Sequence, residues 1–173
     1  MSQYHYSETE PSDEYGTPKW VFDPLNEVFE FDLDAAATPE NTLCDAYYGF
    51  IVNGLRESWE GFTVFNNPPF SEGQYGKWVQ KASLEFLNNS VTTAQVLPFN
   101  PETKAFSGVW DSAHYLILPR KRIGFLDSDG KILSGNKFFS CVAIYTYHTL
   151  TEDEIETLLP VGRVLDLWTG LHQ

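Results

Sequence analysis

The short segment Asn67-Pro68-Pro69-Phe70 contains the residues best suited to chemistry in this sequence. It follows the apolar run 62–65, which predicts a buried strand. Two consecutive prolines cannot extend a sheet, because neither has an N–H to donate. We therefore expect a rigid, irregular corner at the carboxyl end of a strand, which is the edge where open α/β sheets bind their ligands.

Such a corner suits a flat ring that carries an amino group. The side-chain oxygen of Asn67 and the carbonyl oxygen of Pro68 can both accept hydrogen bonds from one NH2 group. Phe70 is expected to expose an aromatic face that stacks on the ring. A proline-rich turn that only joins a strand to a helix is the simpler alternative.

A second candidate site is Asp34-Ala35-Ala36, which follows the alternating segment 29–33, a predicted strand. Small residues after a strand permit close approach of a nucleotide-like ligand, and an acid there can bind ribose hydroxyls or an amino group. The alternative is that Asp34 only caps the next turn. Upstream, Thr17-Pro18 predicts a helix with Thr17 at the N-cap, and Pro24 is expected to interrupt or kink that helix.

The remaining elements alternate between strands and helices. Short apolar segments predict further strands at residues 94–98, 115–118, 123–126 and 138–147. Helices are predicted at residues 77–87, at 102–110 and after Thr151, where Glu154 completes a capping box. Asp129-Gly130 indicates a hairpin turn, and the apolar segment 164–171 is expected to pack on the body. This order indicates an α/β fold with a mostly parallel sheet and an antiparallel ending.

Length and composition indicate one domain. Among the 173 residues, 1–15 are polar and acidic and predict a mobile N-terminal tail, whereas 16–173 predict a single domain. We expect neither a signal peptide nor a membrane span. Cys44 and Cys141 lie far apart without metal-ligand spacing, and the four histidines are scattered. We therefore expect a cytoplasmic protein with reduced cysteines and no metal.

The net charge of −13 argues against a nucleic-acid partner when taken alone, because phosphate neutralisation supplies much of that affinity. The charge is unevenly distributed, however, with nine acids and one base in residues 1–34. Residues 119–137 hold only two acids and five bases, namely Arg120, Lys121, Arg122, Lys131 and Lys137. This segment is either a solvated hairpin or a patch that contacts phosphates.

An ordered set of motifs resembles the phage-type family of DNA N6-adenine methyltransferases. Over about residues 16–147 the set comprises Thr17-Pro18, Phe31-Asp32-Leu33-Asp34-Ala35-Ala36, Gly54-Leu55 with Trp59, Asn67-Pro68-Pro69-Phe70, Trp78, Leu97-Pro98 and Arg122-Ile123-Gly124-Phe125. The Asn-Pro-Pro-Phe element resembles the (Asp/Asn/Ser)-Pro-Pro-(Tyr/Phe/Trp) motif of S-adenosylmethionine-dependent enzymes that methylate exocyclic or amide nitrogens.

The resemblance implies a Rossmann-like methyltransferase fold with a reversed antiparallel hairpin near the C-terminus. It implies that S-adenosylmethionine binds among Thr17, Pro18, Asp34, Ala35 and Ala36. The catalytic residues would be those of the Asn67-Pro68-Pro69-Phe70 motif. Asn67 and Pro68 would hold the adenine N6 amino group while Phe70 stacks on the base, which must flip out of the duplex. Methyl transfer would be direct, without a covalent intermediate or a metal.

The resemblance also implies partners and a setting. The substrate would be adenine-containing duplex DNA, bound by the bases of residues 119–137, in the cytoplasm of a host cell if the protein is viral. A phage role would be protection of the genome from restriction. The acidity is then explained by a saline host, by a basic partner protein or by DNA binding confined to residues 119–137; a homo-oligomer is left open.

Two other functions fit the same residues. The acceptor is then a glutamine side-chain amide or an RNA adenine, and a protein acceptor suits the acidic net charge. Alternatively, the chain is a non-catalytic acidic interaction protein on a methyltransferase fold that mimics DNA.

Overall fold

The computed structural model describes residues 15–49, 51–71, 73–133 and 139–168. Its strands are β1 (Leu33–Asp34), β2 (Ala46–Tyr47), β3 (Val64–Asn66), β4 (Thr93–Pro98), β5 (Tyr115–Pro119), β6 (Ser140–Tyr145) and β7 (Gly162–Asp166). Its helices are α1 (Lys19–Phe29), α2 (Tyr75–Asn89), α3 (Ser107–Ser112) and α4 (Glu152–Leu158), with a short 3-10 turn at Lys104–Phe106 before α3. None of the described helices has the length and apolar character needed to cross a membrane.

One sheet contains all seven described strands, in the order β2-β1-β3-β4-β6-β5-β7. The first four pair in parallel. Strand β6 runs antiparallel to both β4 and β5, so β4 and β5 point the same way with a reversed strand between them. Strand β7 closes the sheet antiparallel to β5. The predicted α/β fold, mostly parallel with a reversed hairpin near the C-terminus, is confirmed.

The strand order reverses at β1, because β2 lies on one side of β1 and β3 on the other. At such a switch point the carboxyl ends of the two central strands border a crevice that suits a ligand. We call the edge formed by the carboxyl ends of β1, β3, β4 and β5 the carboxyl edge; these strands end at Asp34, Asn66, Pro98 and Pro119. Both candidate sites lie there, since the N–H of Ala35 donates to the carbonyl of Phe65 at 2.9 Å.

Two apolar layers cover the sheet, because successive strand residues point to opposite faces. Phe65 packs with α1 and α4 in one cluster, through Val21, Phe22, Leu25 and Leu158 among others. Its neighbour Val64 packs with α2 and α3 in the other, through Val79, Ala82, Phe86 and Val109 among others. The predicted helix 77–87 is α2, whose buried face of Trp78, Val79, Ala82 and Phe86 belongs to the core.

The start of the chain differs from the predictions. Helix α1 begins at Lys19, so Pro18 and not Thr17 is the N-cap, and no side chain caps it. Pro24 does not interrupt the helix. The proline removes only one intrahelical hydrogen bond, and burial of the helix's apolar face outweighs that loss. The predicted strand 29–33 was wrong. Helix α1 continues to Phe29, and only Leu33 and Asp34 form a strand.

Several further elements were misjudged. Residues 123–126 form no strand but only isolated bridges from Leu126 to Gly16 and to Ile132. Strand β2 was not predicted. The predicted packing of segment 164–171 on the body is confirmed for its described part, where β7 pairs with β5 and Val164 and Leu165 join the apolar clusters. The turn at Asp129-Gly130 is present, with Gly130 at a φ of 75° and its N–H bonded to the carbonyl of Asp127.

The end of the chain follows its predicted pattern. The capping box at α4 is confirmed, because the Thr151 hydroxyl accepts from the N–H of Glu154 and the Glu154 side chain accepts from the N–H of Thr151. The helix ends at Leu158. Residues 1–14 lie outside the described part, so the tail stays a prediction.

Candidate active site

The Asn67–Phe70 corner is irregular backbone that follows the last residue of β3, as predicted. The side-chain nitrogen of Asn67 donates a hydrogen bond to the backbone carbonyl of Tyr15 at 2.7 Å. Its side-chain oxygen is buried and has no hydrogen-bond partner among the described residues. The amide is therefore oriented, with its nitrogen engaged and its oxygen left to accept.

The carbonyl of Tyr15 is itself held in place. The neighbouring residue Gly16 exchanges two backbone hydrogen bonds with Leu126, each of 2.9 Å. The Tyr15 ring stacks on Phe125 with a centroid distance of 5.7 Å and an interplanar angle of 24°. Segment 123–126 thus forms no strand, but it fixes the backbone that orients the Asn67 amide.

Phe70 does not present the exposed face that the sequence predicts. It is only 8% exposed and meets the rings of Tyr15 and Phe125 edge-on, at centroid distances of 6.4 and 5.5 Å. The covering rings come from distant parts of the chain, so the local pattern could not reveal them. A ring can reach the face of Phe70 only after one of these neighbours moves.

Asp34 lies at the end of β1 and is 4% exposed. Burial raises the pKa of its carboxyl from 3.8 to about 7, although hydrogen bonds from the N–H groups of Ala36 and Leu43, each of 3.4 Å, oppose the rise. The bond to Ala36 is the local turn cap that the sequence offered as an alternative. The bond to Leu43 reaches into the β1–β2 loop, so Asp34 also holds that loop.

The backbone beside Asp34 requires glycine at position 54. A Cβ on Gly54 would lie 2.1 Å from the carbonyl oxygen of Ala35, which no side chain tolerates. The indole N–H of the fully buried Trp59 donates to the carbonyl of Gly54 at 2.9 Å. Gly54 and Trp59 therefore support the backbone at the end of β1, a role that the sequence did not indicate beyond their place in the motif set.

A cleft of about 460 Å³ opens beside the β1–β2 loop. It is lined by Gly16, Thr17, Thr38, Glu40, Asn41, Thr42, Leu43, Leu126, Asp127, Ser128, Asp129 and Gly130. Of the predicted cofactor residues only Thr17 lines it; its hydroxyl oxygen is buried without a partner among the described residues. Asp34 lies one layer behind, bonded to the lining residue Leu43. Pro18, Ala35 and Ala36 are not part of the lining.

The basic segment lies at the carboxyl edge. Arg120, Lys121 and Arg122 directly follow β5 and are exposed, and the ammonium of Lys121 lies 4.5 Å from the ring centre of Trp20. Lys131 is exposed in the turn that borders the cleft and lies 3.6 Å from the carboxylate of Asp129. Lys137 lies outside the described residues.

Charge is unevenly distributed between the two ends of the sheet, although the exposed acids Glu40, Glu102 and Asp129 also lie at the carboxyl edge. Helices α1 and α2 and the 3-10 turn all begin at the carboxyl edge, where they present the exposed Lys19, Lys77 and Lys104. The opposite edge carries exposed acids that precede β1 and β3, begin α4 and end β7, namely Glu30, Asp32, Glu57, Glu60, Glu152, Asp153 and Asp166. The net charge of −13 therefore understates the basic character of the carboxyl edge.

The cysteines are unsuited to nucleophilic catalysis. Burial, together with the nearby Asp34, Asp32 and Asp45, raises the pKa of the Cys44 thiol to about 12. Burial likewise raises the pKa of Cys141. Both are free, and within the described ranges no group of acids, histidines and cysteines could hold a metal ion.

A mostly parallel sheet with one reversed strand between β4 and β5, and an Asn-Pro-Pro-Phe corner at its switch point, defines a Rossmann-like methyltransferase. A sequence model of the DNA N-6-adenine-methyltransferase (Dam) family matches residues 6–161. This chain belongs to that family.

Two phage relatives agree. The DNA N-6-adenine-methyltransferase of Haemophilus phage HP1 is 28% identical over 128 residues, covering 71% of this chain and 73% of that protein. The enzyme of the same name from Escherichia phage T1 is 27% identical over 162 residues, covering 83% of this chain and 66% of that protein, just under two thirds of its length. The predicted family and enzyme class, a DNA adenine N6-methyltransferase, are confirmed.

Proposed function

We propose that this chain transfers a methyl group from S-adenosylmethionine to the N6 amino group of adenine in duplex DNA, with the cofactor in the cleft and the amino group at the Asn67 corner. The observation that carries the proposal is the Asn67 amide. Its nitrogen is engaged by Tyr15, and its buried oxygen has no partner among the described residues. A buried acceptor without a donor is costly unless a ligand supplies one.

On the acceptor side, the corner positions the amine. The Asn67 side-chain oxygen and the Pro68 carbonyl accept hydrogen bonds from the two N6–H groups, which turns the nitrogen lone pair out of conjugation with the ring and towards the methyl group. Both oxygens also stabilise the positive charge that builds up on N6 as it is methylated. Pro69 keeps the backbone rigid, and Phe70 stacks on the flipped base once the Tyr15 and Phe125 rings move off its face together, with their own stack kept.

On the donor side, the cleft residues fit the cofactor. When bound, S-adenosylmethionine supplies an electrophilic methyl group. The buried Thr17 hydroxyl, unpaired within the described residues, would bind a polar group of the cofactor. Asp34 would accept from its amino group or ribose hydroxyls once Leu43 releases the carboxyl, and Ala35 and Ala36 leave room for close approach. Pro18 would shape the neighbouring backbone.

On the nucleic-acid side, the carboxyl edge faces the duplex. Arg120, Lys121, Arg122 and Lys131 would contact phosphates on either side of the flipped adenine, and Lys137 is proposed to join them. The acidic edge lies at the other end of the sheet and would point away from the DNA. This uneven distribution of charge supports a DNA substrate despite the net charge of −13.

The setting follows from the substrate and the relatives. Both relatives are phage proteins, and we place this enzyme with phage DNA in the cytoplasm of the host cell. There, N6 methylation would protect the genome from restriction.

Transfer of labelled methyl groups tests the proposal directly. The wild type is incubated with labelled S-adenosylmethionine in three separate reactions, which contain duplex DNA, single-stranded RNA or a glutamine-containing peptide. We expect the wild type to form N6-methyladenine in DNA. Asn67→Ala should lower the rate of methyl transfer by about a hundredfold and leave cofactor binding intact. The matched control is Asn89→Ala, because Asn89 also donates through its amide but lies at the far end of α2. Label in RNA or peptide but not in DNA would overturn the proposal.

A further inference from the structure

Three buried polar side chains form a chain beneath the Asn67 corner, on the α2 side of the sheet. Asn66, Gln95 and Tyr145 belong to β3, β4 and β6, and all three are completely buried. The amide nitrogen of Gln95 donates to the side-chain oxygen of Asn66 at 2.7 Å. The amide oxygen of Gln95 accepts from the Tyr145 hydroxyl at 3.4 Å. Tyr145 thereby fixes which end of the Gln95 amide faces Asn66.

Gln95 also reaches the helix that follows the corner. The same amide nitrogen donates to the backbone carbonyl of Trp78 in α2 at 3.0 Å. Asn66 immediately precedes Asn67, and Trp78 lies in the first turn of the helix that the corner segment enters. One amide group thus holds both ends of segment 67–77, which carries the corner.

Stability alone does not account for this chain. Its surroundings are apolar, with Val64, Leu97 and Phe86 in the same cluster. Apolar side chains of the same shape usually stabilise such a position as well as a buried polar chain does, or better. The side-chain nitrogen of Asn66 is moreover buried without an acceptor among the described residues. A hydrogen-bond network with one unsatisfied member stabilises the fold poorly, so we look for a role of these side chains other than stability.

We propose that Gln95 and Tyr145 are positioning residues for methyl transfer, because they hold Asn66 and the start of α2 and thereby set the position of the Asn67 amide oxygen. The proposal rests on the role of the Asn67 corner given above. A displacement of about 1 Å at a reacting group can cost about a hundredfold in rate. Rigid anchoring on both sides of segment 67–77 therefore affects kcat more than it affects cofactor binding.

The test uses variants that keep volume and remove hydrogen bonds. Gln95→Met removes all three bonds of the amide, and Tyr145→Phe removes only the hydroxyl. The matched control is Thr93→Val: Thr93 is also buried on β4, and its hydroxyl has no partner within the described ranges, so no described bond is lost. For each variant, kcat and KM for methylation of duplex DNA, the Kd for S-adenosylmethionine, the Tm and backbone hydrogen exchange are measured.

We expect Gln95→Met to lower kcat by about ten- to a hundredfold, with the Kd for S-adenosylmethionine unchanged. Hydrogen exchange should accelerate in segment 67–77 but not in β6. Tyr145→Phe, which is mild enough to fold, should lower kcat by about threefold, and Thr93→Val should match the wild type. Exchange that accelerates evenly across the sheet, or a kcat for Gln95→Met equal to that of Thr93→Val, would overturn the proposal. The hydrogen-exchange result does not depend on activity. It therefore distinguishes an error in the role proposed for Gln95 and Tyr145 from an error in the role proposed for the Asn67 corner.

Discussion

The side-chain nitrogen of Asn67 donates to the backbone carbonyl of Tyr15 at 2.7 Å, across 52 positions of the sequence. This single bond decides which atom of the amide faces the site. Because the carbonyl can only accept, the amide cannot flip without bringing two oxygens together. The N-terminal segment is thus part of the site, although it lies far from the motif in sequence.

The same bond predicts the behaviour of Asn67→Asp. The introduced carboxylate keeps an acceptor for the amine but places its second oxygen against the Tyr15 carbonyl. We expect activity to fall by about tenfold at pH 8 and to recover partly at lower pH, since the protonated carboxyl can donate to Tyr15 and still accept. The measurement is the pH profile of kcat beside that of the wild type. Equal profiles for the two proteins would show that the Tyr15 bond does not orient the group.

The Tyr15 ring offers a second prediction. Its stacking on Phe125 helps to hold the carbonyl that orients Asn67. Tyr15→Ala should lower kcat by about tenfold, because the backbone loosens, while Tyr15→Phe should retain the ring contact and most of the activity. Methylation kinetics on duplex DNA compare the two variants. If Tyr15→Ala is as active as Tyr15→Phe, the ring has no part in positioning the carbonyl.

The sequence predicted those parts of the site that local chemistry determines. Two prolines after an apolar run must end a strand, so the corner was predictable, and so was the capping box at Thr151. The cover over Phe70 was not, because Tyr15 and Phe125 approach it from distant segments. The strand before Asp34 was overestimated because Phe29 continues the apolar face of α1, and a helical period there competes with alternation.

The buried carboxyl of Asp34 predicts a pH-dependent stability. Its pKa is raised to about 7 in the folded protein, above the ordinary value of 3.8, so the folded state binds more protons between these values. The free energy of unfolding should therefore fall as pH rises through this window and level off above about pH 7. Asp34→Asn removes the effect, so its Tm advantage over the wild type should be larger at pH 8 than at pH 5.

Thermal unfolding without cofactor at both pH values checks this prediction. The matched control is Asp23→Asn, which removes an exposed acid from α1. Its Tm difference from the wild type should not change across the same range. A constant Tm difference for Asp34→Asn would contradict the raised pKa. The same variant should bind S-adenosylmethionine more weakly, as calorimetry can show, if the carboxyl takes part in binding it.

The charge polarity of the molecule gives the last prediction. Neutralisation of Arg120, Lys121 and Arg122 to glutamine should weaken DNA binding at all sequences alike, because phosphate contacts carry no sequence information. If each of the three residues contacts one phosphate, the plot of log K against log salt should become less steep, its negative slope shrinking in magnitude by about 3. The control changes three acids at the opposite edge, Glu30→Gln, Glu152→Gln and Asp153→Asn. A rule based on net charge predicts tighter binding for the control, whereas a polarised molecule predicts no change. Titration of a labelled duplex at several salt concentrations decides between them, and a stronger response to the acidic substitutions than to the basic ones would remove the carboxyl edge as the DNA-binding face.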